Sequence, residues 1–167
     1  MEESGSKSDF TPVSHIDQRR STAKVARDIK KIDAKGRFFI PAKQREQLGD
    51  EVVVTNSLDK GYLCVYSKAR FDHIAEQIRK LNYLNPKVRI ISRAIIGEAC
   101  EVTVDSQGRI AVSAELWERA FAKAGDEICV FNDAGKLDIC AKSFYDNEDH
   151  DLSNIEGLET DYYVDGL

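Results

Sequence analysis

The sequence has 167 residues, of which 32% are charged and 42% are hydrophobic, and its formal net charge is −5. No apolar run approaches the roughly 20 residues of a membrane-spanning helix, and the first residues lack the apolar segment of a secretory signal. We therefore predict a cytoplasmic protein with no membrane partner. The cysteines, Cys64, Cys100, Cys129 and Cys140, form no C-x-x-C pair, which predicts free thiols and no metal or other cofactor.

The charge is unevenly distributed along the chain. Residues 144–167 hold eight acidic residues and no lysine or arginine. Residues 19–45 hold ten basic residues against Asp28 and Asp33. This local excess of positive charge suits a partner that carries phosphates, although a solvated surface would show the same pattern.

Changes in composition and periodicity divide the chain into five segments. These are a disordered N-terminal arm (1–20), a first structural unit (21–66), a helical connector (67–98), a second unit (99–143) and an acidic C-terminal tail (144–167).

The first unit is built around residues 31–41, where two short strands flank the turn Asp33-Ala34-Lys35-Gly36-Arg37. A short helix is predicted from Pro41 to Leu48, ending at Gly49. Two further strands complete a ββαββ unit.

The connector is predicted to contain two helices. Ser67 is a candidate N-cap for the first, whose apolar stripe runs from Phe71 to Leu81. The second is predicted from Pro86 to Gly97. Its residues expected to face the core are Ile90, Ile91, Ala94 and Ile95.

The second unit repeats the first. Residues 103–113 are a diverged copy of residues 31–41, 72 positions later, with the turn Asp105-Ser106-Gln107-Gly108-Arg109. Ser113 is a candidate N-cap for the following helix. The later strands realign at a separation of 76, so we place the four extra residues in that helix, as about one more turn. The prediction is an α+β, mainly β, fold with two tandem ββαββ halves.

The acidic tail has two interpretations. Isolated apolar residues such as Ile155 and Val164 interrupt the acids, so a short amphipathic segment that docks on a neighbour is one possibility. A solvated tail that frays in water is the other.

The two turns are the candidate functional site. Gly36 and Gly108 supply positive φ, and Asp33 and Asp105 accept backbone hydrogen bonds across each turn. Strand alternation places Lys35, Arg37 and Phe39 on one face, opposite to Phe38 and Ile40. The side chains that project from the two tips are Lys35 with Arg37, and Gln107 with Arg109.

An arginine beside a glycine suits nucleic acid, because the backbone can approach phosphates and the guanidinium can bind a phosphate or a guanine edge with two hydrogen bonds. An outward Phe39 would touch thymine methyl groups or a second subunit. The alternative is a structural turn in which each arginine pairs with its own aspartate. For Arg109 both readings stay open, since its flanks bring little positive charge.

The sequence offers little support for an enzyme. It contains no H-x-x-x-H, G-x-S-x-G, phosphate-binding glycine loop or carboxylate pair. Asp33 and Asp105 lie beside arginines that favour their charged forms, which is the opposite of what a general acid needs. We therefore expect no catalysis and no small-molecule substrate.

The string Ile32-Asp33-Ala34-Lys35-Gly36-Arg37, the following Ile40-Pro41-Ala42-Lys43 and the later Asp105-x-Gln107-Gly108-Arg109 resemble the bacterial MraZ family over about residues 29–141. The resemblance implies AbrB-like swapped-hairpin β-barrel halves and a ring homo-oligomer, often an octamer. It also implies a nucleoid-associated transcriptional regulator. Its DNA partner would be short direct repeats upstream of the division and cell-wall gene cluster, including its own gene.

The same resemblance implies DNA binding by Lys35 and Arg37 in the first turn and by Arg109 in the second. Lys31, Phe39 and Gln107 are further candidates, because they flank these positions. Two other classes remain open from the sequence. One is an AbrB-type antitoxin that binds a toxin through its C-terminal segment, and the other is an interaction scaffold that does not bind DNA.

Overall fold

The computed structural model describes residues 23–161 and 164–166, so the predicted arm (1–20) lies outside the described residues. The fold is α+β and mainly sheet. The strands are β1 (Asp28–Lys31), β2 (Arg37–Phe39), β3 (Glu51–Asn56), β4 (Tyr62–Ser67), β5 (Cys100–Thr103), β6 (Arg109–Ala111), β7 (Glu127–Asp133) and β8 (Lys136–Ala141). The α-helices are α1 (Ala42–Leu48), α2 (Lys68–Arg79), α3 (Pro86–Ile91), α4 (Ala114–Arg119), α5 (Lys142–Asn147) and α6 (Leu158–Asp161). A π-helix, Ser92–Gly97, continues α3, and a 3₁₀ turn, Leu152–Asn154, precedes α6.

The strands of the two halves are interleaved. A six-stranded antiparallel sheet has the order β1-β7-β8-β4-β3-β5. In it, β1 of the first half pairs with β7 of the second, and β5 of the second half pairs with β3 of the first. The pairing continues beyond the strands, where Ile32 N donates to Asp126 O at 2.9 Å and Val104 N to Asp50 O at 2.8 Å.

The remaining strands, β2 and β6, form a separate antiparallel pair that again joins the two halves. Phe38 lies opposite Ile110, and both side chains are buried. One apolar core therefore draws on both halves. Its largest members are Trp117, Phe38, Ile32, Ile40, Leu48, Leu63, Ile110, Ile128, Leu137 and Ile139.

The helix after the second turn differs from its prediction. α4 ends at Arg119 and is no longer than α1, so the expectation of an extra helical turn is wrong. The additional residues instead form the loop 120–124. Phe121 takes a left-handed φ of 56°, and Trp117 O accepts hydrogen bonds from both Ala120 N and Ala122 N, which turns the chain out of the helix.

The connector has the predicted N-cap at Ser67, but the side chain of Ile90 differs from its prediction. The hydroxyl of Ser67 accepts from Arg70 N at the start of α2. Thr55 Oγ1 donates to Ile95 O at 2.6 Å, which fastens the π-helix to β3. In the second connector helix, the π-helical end packs on β3. Ile90 lies before it and is 59% exposed, so the prediction that Ile90 faces the core is wrong.

The first residues of the acidic segment pack on the sheet. α5 crosses the predicted boundary between residues 143 and 144, and Phe144 contacts the main core. The hydroxyl of Tyr62 donates to Glu148 at 2.6 Å. Farther on, Leu152, Ile155 and Val164 are exposed. No helix of the described residues combines the length and apolar character that crossing a bilayer requires.

Candidate nucleic-acid interface

The first turn is organised by the carboxylate of Asp33. Its Oδ1 accepts from Lys35 N and from Arg37 N, both at 2.9 Å, and its Oδ2 accepts from Arg37 Nε at 2.8 Å. Gly36 N donates to Asp33 O, and Gly36 takes a φ of 78°, which a residue with a Cβ adopts only with strain. Asp33 N also donates to Arg37 O at 2.8 Å, so five hydrogen bonds within five residues fix this turn.

The second turn has the same geometry. Asp105 accepts from Gln107 N at 3.0 Å, and from both Arg109 N and Arg109 Nε at 2.8 Å. Gly108 takes a φ of 82°. In both turns the pKa of the aspartate is held below its usual value. The backbone hydrogen bond of the arginine lowers this pKa most, burial opposes it with the second-largest effect, and the side chain of the arginine lowers the pKa further.

Each arginine thus pairs with the aspartate of its own turn, which was one of the two readings of the sequence. The pairing uses only Nε. Among the described residues, no protein group accepts a hydrogen bond from the Nη atoms of Arg37 or Arg109. Their side chains remain 27% and 19% exposed. The terminal edge of each guanidinium is therefore available to a bidentate acceptor.

The pairing of β2 with β6 brings the two arginines onto one surface. Arg37 lies opposite Ala111, and Phe39 lies opposite Arg109. Side chains of opposite residues share a face in an antiparallel pair, so these four residues form one outward face. Diagonal neighbours in such a pair are roughly 7–8 Å apart, so the backbone positions of the two arginines lie close together here. We call Arg37, Phe39, Arg109 and Ala111 the ribbon face.

The other predicted site residues surround the ribbon face. Lys35 and Gln107 are exposed at the tips of the two turns. Lys31 is exposed at the end of β1 and, with Phe39, lines a hollow of about 700 Å³. The turns themselves stand at opposite ends of β2–β6, because Ile40 N donates to Gly108 O and Val112 N to Gly36 O.

The structure adds a residue that we did not place in the site from the sequence. The guanidinium of Arg45 in α1 lies directly over Gly108, and its Nε donates to Ile40 O at 3.1 Å. The second turn therefore has a cation beside it that comes from the first half. Aligning the repeats would have given a signal, because Arg45 and Trp117 occupy equivalent positions and Trp117 packs against the first turn.

Comparisons with known proteins agree with this fold and motif pattern. The family model described as "MraZ protein, putative antitoxin-like" matches residues 28–94. A protein of Lachnoclostridium phytofermentans named "Transcriptional regulator MraZ" is 35% identical over 120 residues, which cover 72% of this chain and 82% of the relative.

Relatives with the same name occur in other bacteria. The protein of Nitrosomonas eutropha is 34% identical over 121 residues, covering 70% of this chain and 80% of the relative. That of Carboxydothermus hydrogenoformans is 34% identical over 116 residues, covering 70% and 79%. These relatives are named as transcriptional regulators, not as enzymes. The chain belongs to the MraZ family.

Proposed function

We propose that this protein is a transcriptional regulator that binds double-stranded DNA through its ribbon face and the two turns beside it. The observation that carries the proposal is that the Nη atoms of Arg37 and Arg109 have no acceptor among the described residues, on a surface shared by both halves. Lys31 and Lys35 add charge for the phosphate backbone. The names of the relatives support the same class.

The finer form of the proposal concerns architecture. The exchange of β1 and β5 between the halves supports two AbrB-like swapped-hairpin barrel units that share their strands. We further propose that chains assemble into a ring, often an octamer, that binds direct repeats upstream of its own gene and the division and cell-wall genes. The protein would then act in the cytoplasm, at the nucleoid.

A ring would make affinity depend on the number of repeats. A single turn with a few charged contacts binds weakly, whereas several identical turns that engage regularly spaced sites raise the effective concentration of each later contact. Each phosphate contact also releases counterions, so binding should weaken steeply as salt rises.

An electrophoretic mobility shift on the DNA upstream of its own gene tests the proposal. Arg37→Ala is expected to abolish the shift while the protein keeps its oligomeric size. Arg37→Lys keeps the charge but loses the bidentate edge, and should bind weakly. Arg79→Ala is the matched control, because it removes an exposed arginine at the end of α2, away from the ribbon face. Normal operator affinity in Arg37→Ala would refute the site assignment.

One competing function has an observation in its favour. The family model is described as antitoxin-like, which suits a chain that binds a toxin. Such a partner would co-purify with the tagged full-length chain from its own cells, in amounts close to one per chain. Recovery of DNA without a stoichiometric protein partner would favour the regulator.

A further inference from the structure

The two arginines of the ribbon face stand in different surroundings. Positions 39 and 111 are equivalent in the repeat, but the first is phenylalanine and the second alanine. Because Phe39 lies opposite Arg109, its ring lies against the guanidinium of Arg109, with the centroid 5.7 Å from Cζ. The residue opposite Arg37 is Ala111, whose methyl group offers no aromatic face. The repeat is therefore asymmetric at the surface where it meets a ligand.

The stacking restrains Arg109 on a second side. Its Nε is held by Asp105, as Arg37 is held by Asp33, but its Cζ also lies over the ring of Phe39. Arg109 is accordingly less exposed than Arg37, at 19% against 27%. A side chain that is already ordered loses less conformational entropy on binding. Among the described residues, no protein group accepts a hydrogen bond from the Nη atoms of Arg109, so these donors are not used by the restraint.

We propose that Phe39 is a positioning residue that holds Arg109 ready for DNA, so that the two turns of one chain bind unequally. The second turn is preorganised, and the first turn adapts its arginine to the bound duplex. Phe39 acts through Arg109, not by touching DNA itself. The proposal rests on the proposed function, since Arg109 must meet DNA for its orientation to matter.

The arrangement depends on the exchange of hairpins between the halves. Phe39 belongs to the first half and Arg109 to the second, and the pairing of β2 with β6 places them opposite each other. The equivalent position opposite Arg37 holds Ala111, which is exposed on the same face and leaves room for a larger side chain. A phenylalanine at position 111 would therefore build the same stack under Arg37.

A set of variants tests the proposal by DNA affinity, measured as fluorescence anisotropy on an operator with a fixed number of repeats. An exposed pair of arginine with an aromatic ring contributes a factor of about two to five in an equilibrium constant. We expect Phe39→Ala to weaken binding by about that factor for each engaged chain. Phe39→Leu keeps apolar area but lacks the π face and should show the same loss. Phe39→Trp keeps the π face and should bind normally.

The decisive comparison is a double-mutant cycle. If Phe39 acts through Arg109, adding Phe39→Ala to Arg109→Ala costs no further affinity. If Phe39 touches the bases directly, the loss is the same in both backgrounds, and the proposal is overturned. Ala111→Phe is expected to tighten binding by about two- to five-fold.

A second readout separates this inference from the proposed function. In the free protein, ¹⁵N relaxation of the arginine Nε–Hε groups should show Arg109 more ordered than Arg37, and Phe39→Ala should remove the difference. If Arg109 and Arg37 are equally ordered in the wild-type protein, the inference about Phe39 is overturned and the proposed function is not affected. Unchanged DNA affinity in both Arg37→Ala and Arg109→Ala overturns the proposed function itself, and the role of Phe39 in DNA binding with it.

Discussion

The indole N–H of Trp117 donates to the carbonyl oxygen of Gly36 at 2.9 Å. This bond joins α4 of the second half to the first turn, and the ring of Phe38 meets the indole edge-on at 5.8 Å. Trp117 is 1% exposed. The orientation of the first turn therefore depends on a side chain 81 residues away in the sequence.

Replacing Trp117 by phenylalanine should test that bond. The variant loses the N–H donor but keeps an aromatic ring beside Phe38, and Gly36 O still accepts from Val112 N. We expect the free energy of unfolding to fall by about 1 kcal/mol from the lost hydrogen bond, with a further loss from the smaller ring. Urea denaturation, monitored by circular dichroism, measures this change in the free energy of unfolding. An unchanged midpoint would show that the bond contributes nothing.

The two turn glycines should differ in their tolerance of alanine. Both have positive φ, which costs an alanine about 1–2 kcal/mol. At Gly36 an added Cβ would also lie 2.9 Å from the backbone oxygen of Val112, which cannot move without shifting β6. At Gly108 it would meet the guanidinium of Arg45, which is the flexible end of a side chain. We therefore expect Gly36→Ala to reduce the free energy of unfolding more than Gly108→Ala.

A third glycine serves as the control for this comparison. Gly97 has no positive φ, and an added Cβ would find its nearest neighbour, Arg93 Cβ, at 4.0 Å. Gly97→Ala should be neutral or slightly stabilising in the same chemical denaturation. Equal losses at Gly36 and Gly108 would contradict the role given to the Val112 carbonyl.

Stability should depend on the ionisation of the turn aspartates in the acid range. The folded pKa values of Asp33 and Asp105 are depressed, so their contribution is fully present above the unfolded pKa, about 4. It is lost as the pH falls through the lower, folded values. We expect the difference in unfolding free energy between wild type and Asp33→Asn to shrink steadily below about pH 4. Asp149 and Asp151 also have depressed pKa values. Their effect is the same in the wild type and the variant, so it cancels in the difference of the two unfolding free energies.

Thiol reactivity should separate one cysteine from the other three. Burial raises the pKa of Cys64 to about 11 and that of Cys140 to about 12, and it also raises the pKa of Cys129. All three are buried, whereas Cys100 is half-buried. In the folded protein, an aromatic disulfide reagent should therefore label Cys100 first, and the others only after unfolding. Cys100→Ser should remove the fast phase, and a fast phase that survives would contradict this assignment.

Much of the local structure could be predicted from short stretches of sequence. The caps at Ser67 and Ser113 and the positive φ of Gly36 and Gly108 depend on hydrogen bonds within about five residues. The prediction failed at the loop 120–124, where Phe121 leaves the helix with a left-handed φ and its ring packs on that of Phe144. That contact joins segments that are far apart in the sequence, so no local pattern predicts it.

The sequence by itself determined the repeat, the two D-x-x-G-R turns and the family, because each is encoded in neighbouring residues. Only the tertiary structure decided which strand each hairpin pairs with. The two halves carry nearly the same strand patterns, so pairing within a half and pairing across halves satisfy the same local preferences. The exchange places Phe39 against Arg109 and Arg45 over Gly108. Packing of the shared core, not any local signal, therefore sets the composition of the candidate DNA-binding surface.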